Sequence, residues 1–127
     1  MNKIQYIVFV NNKKQVLTVK QNTNNGKWGF PKTDYQIVDY LNLNFSFDYP
    51  FELINTNNYD IAIIHQIGEL NLKHETKIIN GKSKKSGQYK DLRWKTFDQL
   101  SIGLERNSKC YDNTIKLVMN HQNDILL

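Results

Sequence analysis

The segment Ile61-Ala62-Ile63-Ile64 constrains the fold of this chain more than any other. It lies at the start of an apolar stretch over residues 60–70. A strand with one wet face alternates apolar and polar side chains, whereas a strand without alternation is covered on both faces. The chain therefore has to build a sheet and pack something on each side of it. Its 127 residues suit one domain, residues 1–127, and suffice to bury a core without disulfides or a structural metal.

Other segments supply partners for that strand. Ile4–Val10 is β-branched and aromatic, which predicts a first strand, and Gln15–Lys20 predicts a second. In the second, Val16 points away from Leu17 and Val19. Asn11-Asn12-Lys13-Lys14 suits the hairpin loop between them, and Gln21–Lys27 reads as a polar connection. Thr33 is placed to cap a short helix over Asp34–Leu43, in which Tyr35, Val38 and Leu41 fall at helical spacing. Phe45, Phe47, Tyr49 and Phe51 then alternate with Ser46, Asp48, Pro50 and Glu52, the period of a half-buried strand, with Pro50 suited to an edge. Asn55–Asn58 is a turn cluster and Gly81–Lys90 a basic loop. Leu92–Thr96 is another strand, carrying Trp94. Thr96 and Gln99 have capping-box spacing, which predicts a short helical turn. Ile115, Val118, Met119, Gln122 and Leu126 trace one face of a closing helix with Asp112 as its N-cap.

Composition narrows the setting. The formal charge of +5 favours contact with something anionic. The single cysteine, Cys110, excludes an internal disulfide framework and fits a reducing compartment, and a packing role is expected for it. The N-terminal apolar run is short and lacks a small-residue cleavage site, so it reads as a strand and not as a signal peptide. No segment is long enough to span a bilayer. A cytoplasmic protein without a membrane partner is expected. His65, His74 and His121 are too scattered for a zinc site, and His65 is expected to be a hydrogen-bonded structural histidine. No phosphate-binding Walker loop, dinucleotide fingerprint or hydrolase elbow is present.

Two motifs stand in an informative order. Trp28-Gly29-Phe30-Pro31-Lys32 follows the first two strands, and Leu92-Arg93-Trp94-Lys95-Thr96-Phe97-Asp98-Gln99-Leu100 joins a late strand to a capped turn. With the closing helix, this layout resembles a small Nudix domain over nearly the full chain. The resemblance implies an α/β fold of α+β type, a mixed β-sheet flanked by helices. It also implies a helix crowded with glutamates, since cleaving a pyrophosphate requires Mg²⁺ or Mn²⁺ and such hard ions take carboxylate oxygens. Laid on the chain without gaps, the family's box places its first Gly at Thr33, its first Glu at Asp39 and its Arg at Phe47. Its later Glu positions fall at Asp48, Phe51 and Glu52, and its final Gly at Ile54. Few of the acids remain and the arginine is gone.

The candidate site residues follow from that comparison, each with a plainer alternative. Asp39, Asp48 and Glu52, joined by Glu69, are either a rearranged metal site or solvated carboxylates; Asp39 and Glu52 are the candidates for a catalytic role. Trp28 and Phe30 either stack on a nucleobase or plug the core beneath the turn. Lys32 is a candidate phosphate contact, and Tyr6 or Trp94 a further pocket wall. Lys84 and Lys85, in the run from Lys82, either hold phosphate or form a solvated loop, with Tyr89 nearby as a stacking group. The reading that follows is a Nudix-like domain with a degenerate box, which binds a nucleotide, a phosphorylated ligand or a macromolecular partner without efficient hydrolysis. The alternatives are a divergent metal-dependent hydrolase of nucleoside diphosphate-linked substrates, requiring Mg²⁺ or Mn²⁺, and an RNA- or protein-interaction module that uses the basic loop.

Overall fold

The computed structural model describes residues 3–21, 25–33, 51–65 and 89–126. In chain order these form β1 (Ile4–Val10), β2 (Val16–Gln21), β3 (Trp28–Gly29), β4 (Lys32–Thr33), β5 (Glu52–Asn55), β6 (Tyr59–His65) and β7 (Tyr89–Lys95). The helices α1 (Phe97–Asn107), α2 (Asn113–Met119) and α3 (Gln122–Ile125) follow, with a 3₁₀ turn at Ser108–Cys110 between α1 and α2. All seven strands belong to one mixed sheet. β1 and β6 pair in parallel along their whole length, from Ile4 opposite Tyr59 to Val10 opposite His65. The remaining strand pairs are antiparallel. The fold class is thus the expected one, a mixed sheet flanked by helices.

The first hairpin is splayed, and the splay makes room for the Trp-Gly-Phe-Pro string. Asn11 builds the turn: its Oδ1 accepts from the Lys13 and Gln15 amides at 3.0 and 2.9 Å, and its Nδ2 donates to Gln15 Oε1 at 3.0 Å. Lys14 takes a left-handed conformation there, with φ of 59°. The pairing of β1 with β2 is limited to Val10 opposite Val16. Beyond it residues 28–33 run between the two strands. Gly29 and Trp28 pair with Val19 and Lys20 of β2, whereas Lys32 and Thr33 pair with Tyr6 and Gln5 of β1. Pro31 has no amide hydrogen to give, and its carbonyl accepts from the Ile7 amide at 2.8 Å.

Both faces of the sheet are covered, as the apolar run in β6 requires. On one face Val8, Val10, Val16, Phe30, Ile61 and Ile63 pack with Phe97, Leu100, Ile115, Val118 and Ile125 of the C-terminal helices. The side chains that alternate with these, Ile7, Phe9, Leu17, Val19, Ala62 and Ile64, are buried as well. At the start of β6 Thr56 closes the hairpin from β5, its hydroxyl accepting from the Tyr59 amide at 3.1 Å. Lys3 ties β1 to this corner through Asp60, at 2.9 Å, and through the Thr56 carbonyl, at 2.7 Å.

Several element boundaries differ from expectation. Tyr89 and Lys90 belong to β7, not to the basic loop, because a shift of register at Lys20/Gln21 carries the β2–β7 pairing on to Tyr89. Asn55 is the last residue of β5 and not part of the turn. The capping box at Thr96 and Gln99 is present, and what it starts is a three-turn helix, not a short turn. Only Phe97 and Leu100 of that helix are fully buried, which is why its apolar pattern is faint. Asp112 caps α2 as expected, but the closing helix stops at Met119. After the break Gln122 is exposed and Ile125 fills the core. His65 is exposed at the end of β6, and Cys110 is exposed in the 3₁₀ turn instead of packing. The expected helix over Asp34–Leu43 and the strand over Phe45–Phe51 lie outside the described residues, apart from Phe51, which precedes β5.

Candidate functional site

The backbone of the Trp-Gly-Phe-Pro string is held by the start of α2. The Asp112 amide donates to the Trp28 carbonyl at 2.9 Å, and Trp28 forms a parallel bridge with Tyr111. The Phe30 amide donates to Thr114 Oγ1 at 3.1 Å. The Thr114 hydroxyl in turn donates to Asp112 Oδ1, which also accepts from the Thr114 amide at 2.9 Å. The approach is so close that a Cβ on Gly29 would overlap the Asp112 carboxylate. Glycine stands at this position because the helix cap occupies the space a side chain would take.

Alternation and register set where the side chains go. Trp28 lies beside its register partner Lys20, and Phe30 and Tyr6 share the face of the C-terminal helices. Phe30 is 3% exposed and is part of the core cluster. Of its two readings, burial supports the core plug, because a ring with no free face offers nothing for a base to stack on. Lys32, opposite Tyr6, is exposed. Trp28 and Lys32 lie on different strands of the segment, β3 against β2 and β4 against β1. Trp94 pairs with Leu17 and therefore points to the opposite face from Trp28. The two tryptophans do not line one pocket, and the Trp94 indole N–H is buried with no hydrogen-bond partner among the described residues.

Half-buried Trp28 has company that the sequence pattern did not single out. Lys20 Nζ lies 5.8 Å and Arg93 Cζ 5.4 Å from its ring centroid. Both are within the range of a cation–π interaction. The three residues come from β3, β2 and β7, and only the long-range register of β2 brings them together. A lone arginine before a tryptophan in a strand carries no local signal for that.

A second cluster lies at the other end of residues 28–33. Tyr6 and Tyr59 meet edge to face with centroids 5.8 Å apart, and the Tyr59 hydroxyl is 2.9 Å from His121 Nε2 at the break between α2 and α3. Burial raises the Tyr6 hydroxyl above its ordinary value of 10.0, with further contributions from the negative charge of Asp112 and from Tyr59. This cluster joins β1, β6 and the C-terminal helices.

The acidic candidates are dispersed or fall elsewhere. Glu52 is exposed on β5, which ends the order of strands among the described residues, opposite Ile63. Ile54, the box's final Gly position, is on the same strand, so the gap-free alignment ends in a strand and not in a helix. Asp39, Asp48 and Glu69, and likewise Lys84 and Lys85, lie outside the described residues. Among the described residues no three His, Cys, Asp or Glu side chains are grouped to hold a metal ion. The described residues therefore do not by themselves fit an Mg²⁺ or Mn²⁺ centre. No described helix is long and apolar enough to cross a membrane.

The sequence matches no protein-family model, and no curated protein matches it. The fold is similar to that of solved structures. The chain superposes on the MutT protein from Methanosarcina mazei Go1 with a TM-score of 0.56 and 10% identity, covering 97% of this chain and 93% of that one. A C. elegans Ap4A hydrolase, solved as a binary complex, superposes with a TM-score of 0.53 and 10% identity over 97% of this chain and 98% of that one. At this identity the likeness concerns the fold, and the fold is Nudix-like.

Proposed function

We propose that this chain is a Nudix-like domain that binds a nucleotide or another phosphorylated ligand without hydrolysing it efficiently. The observation that carries the reading is Glu52. The last glutamate of the expected box sits exposed in a strand, β5, where it cannot share a helix face with other carboxylates. Phe47 at the box's arginine position points the same way. Metal-assisted cleavage of a pyrophosphate depends on clustered oxygen ligands, and that requirement is what the sequence has let go. The ligand would lie along residues 28–33, with Trp28 at one end, Lys32 at the other and Phe30 supporting the segment from the core. Lys84 and Lys85 would add positive charge.

A second reading is a divergent hydrolase that keeps a weaker Mg²⁺ or Mn²⁺ site from Asp39, Asp48, Glu52 and Glu69. It draws support from the fold shared with a protein described as an Ap4A hydrolase. Calorimetric titration separates the two. On the favoured reading, a non-hydrolysable nucleotide binds equally well with Mn²⁺ or with a chelator. Saturable metal binding that is coupled to the nucleotide and abolished by Asp39→Ala would establish the hydrolase instead.

A further inference from the structure

We infer that the outer edge of β7 pairs with β7 of a second copy of this chain, antiparallel and about a two-fold axis at Leu92. Such pairing needs no ligand and is independent of the function proposed above. Three observations carry it.

The first is the direction of the β7 main chain. The Gln21 amide donates to the Lys27 carbonyl, and Val19 lies opposite Gly29. In an antiparallel pair the N–H and C=O of one residue face the same side, and the side alternates along the strand. Val19 and Gln21 therefore face β3, whereas Val16, Thr18 and Lys20 face β7, opposite Lys95, Arg93 and Asp91. It follows that the main-chain groups of Leu92 and Trp94 point away from β2. Among the described residues β7 pairs with β2 alone, and an outward row of donors and acceptors is a template for another strand.

The second is how this edge is held in the single chain. The Leu92 amide donates to Oδ1 of its own neighbour Asp91, at 2.8 Å. The other carboxylate oxygen is 3.7 Å from Arg93 Nε, beyond hydrogen-bond range. Both side chains are open to solvent, 60% exposed for Arg93 and 46% for Asp91. The carboxylate thus stands in for a strand. A carbonyl from a second copy replaces it at the Leu92 amide without leaving that donor unsatisfied, and releases the carboxylate for another partner. Arg93 lies over the Trp28 ring, its Cζ 5.4 Å from the centroid, an exposed contact that it can exchange for a carboxylate.

The third is charge complementarity within β7 itself. A two-fold antiparallel pairing places one residue on its axis, and the residue before it faces the residue after it in the other copy. With Leu92 on the axis, Asp91 of each copy faces Arg93 of the other, so two opposite-charge pairs form. They fall at non-hydrogen-bonded positions, where facing side chains are closest. With Asp91 or Arg93 on the axis, a charge faces its own copy, and with Trp94 there, Arg93 faces Lys95. Among residues 91–94 the charges select Leu92, whose outward N–H and C=O then bond the same groups of the other copy. The contact is isologous and uses each edge once, so it closes at two chains.

The test is sedimentation velocity on the full chain over a range of concentrations, with the variants Asp91→Arg and Arg93→Asp, each checked for folding by denaturant unfolding. The wild-type chain is expected to pass from monomer to dimer and no further. Each variant alone sets like charges against each other at both pairs and is expected to weaken the dimer by about tenfold. Mixed in equal amounts, the two variants are expected to associate as tightly as the wild type, because every facing pair is again opposite in sign. Hydrogen exchange at the Leu92 and Trp94 amides is expected to slow as chain concentration rises. A wild-type chain that stays monomeric overturns the proposal, and protection of those two amides at every concentration would then show the edge covered within one chain. Growth beyond the dimer overturns the two-fold pairing. A dimer that both variants keep, or folded variants that fail to associate when mixed, overturns the assignment to β7.

Discussion

Gly29 and Asp112 show how a residue can be placed by something far away in sequence. The carboxylate that caps α2 lies against the Cα of Gly29, and its neighbour Thr114 receives the Phe30 amide. A methyl group at position 29 has to displace the cap. Gly29→Ala is expected to lower stability by about 1–3 kcal/mol, the usual range for forcing a group into filled space. Asp112→Ala is expected to lower it by about 0.5–2 kcal/mol through the lost cap. The double variant should be less destabilised than the two losses combined, because removing the carboxylate makes room for the methyl. Denaturant unfolding of the four proteins measures this, and strict additivity would show that the two groups do not meet. The motif around Gly29 was legible as a string, but its reason was not. Nothing local announces that position 112 will stand against position 29.

At the scale of elements, legibility follows the range of the interaction. The Thr96–Gln99 capping box is a contact across three residues, visible in the sequence and realised at 3.1 and 2.9 Å. Thr96→Ala is expected to cost about 1 kcal/mol, read as a lower denaturant midpoint at unchanged slope. A wild-type midpoint in that variant would mean that the box contributes nothing to α1. The Asp112 cap and the bounds of β1 were legible for the same local reason. The break between α2 and α3 was not. The stripe from Ile115 to Leu126 has helical spacing throughout, yet the His121 amide turns back to the Val118 carbonyl at 2.9 Å and its ring reaches Tyr59. The placement of Tyr89 and Lys90 in β7 was hidden similarly, since it follows from the irregular pairing with β2.

At the scale of the whole molecule, Tyr6 stands where β1, β6 and the C-terminal helices meet, and it couples stability to pH. Its hydroxyl is held above 10.0 by burial, by Asp112 and by Tyr59. The unfolded chain therefore gives up this proton at lower pH than the folded one. The stabilisation is present in full below the unfolded value and is lost as pH rises from there through the folded value. Tyr6→Phe is expected to flatten the alkaline decline in stability above about pH 10, seen by comparing denaturant midpoints of the two proteins across that range. Parallel curves would mean that Tyr6 ionises no differently in the folded chain. The covering of the sheet on both faces belongs to this scale as well, and the run Ile61–Ile64 announced it, because an apolar strand without alternation has no wet side.

Periodicity, turn chemistry and caps are local, so the sequence by itself determined the mixed α and β character, the first hairpin, the buried central strand and the two helix starts. Which strands lie side by side is a matter of contacts between distant residues, and only the tertiary structure decided it. The parallel pairing of β1 with β6, the insertion of residues 28–33 into the splayed hairpin and the meeting of Lys20, Trp28 and Arg93 all depend on it. A charged side chain on a strand looks the same in sequence whether it faces open water or lies against a tryptophan ring, because the difference lies in the register of strands some seventy residues apart.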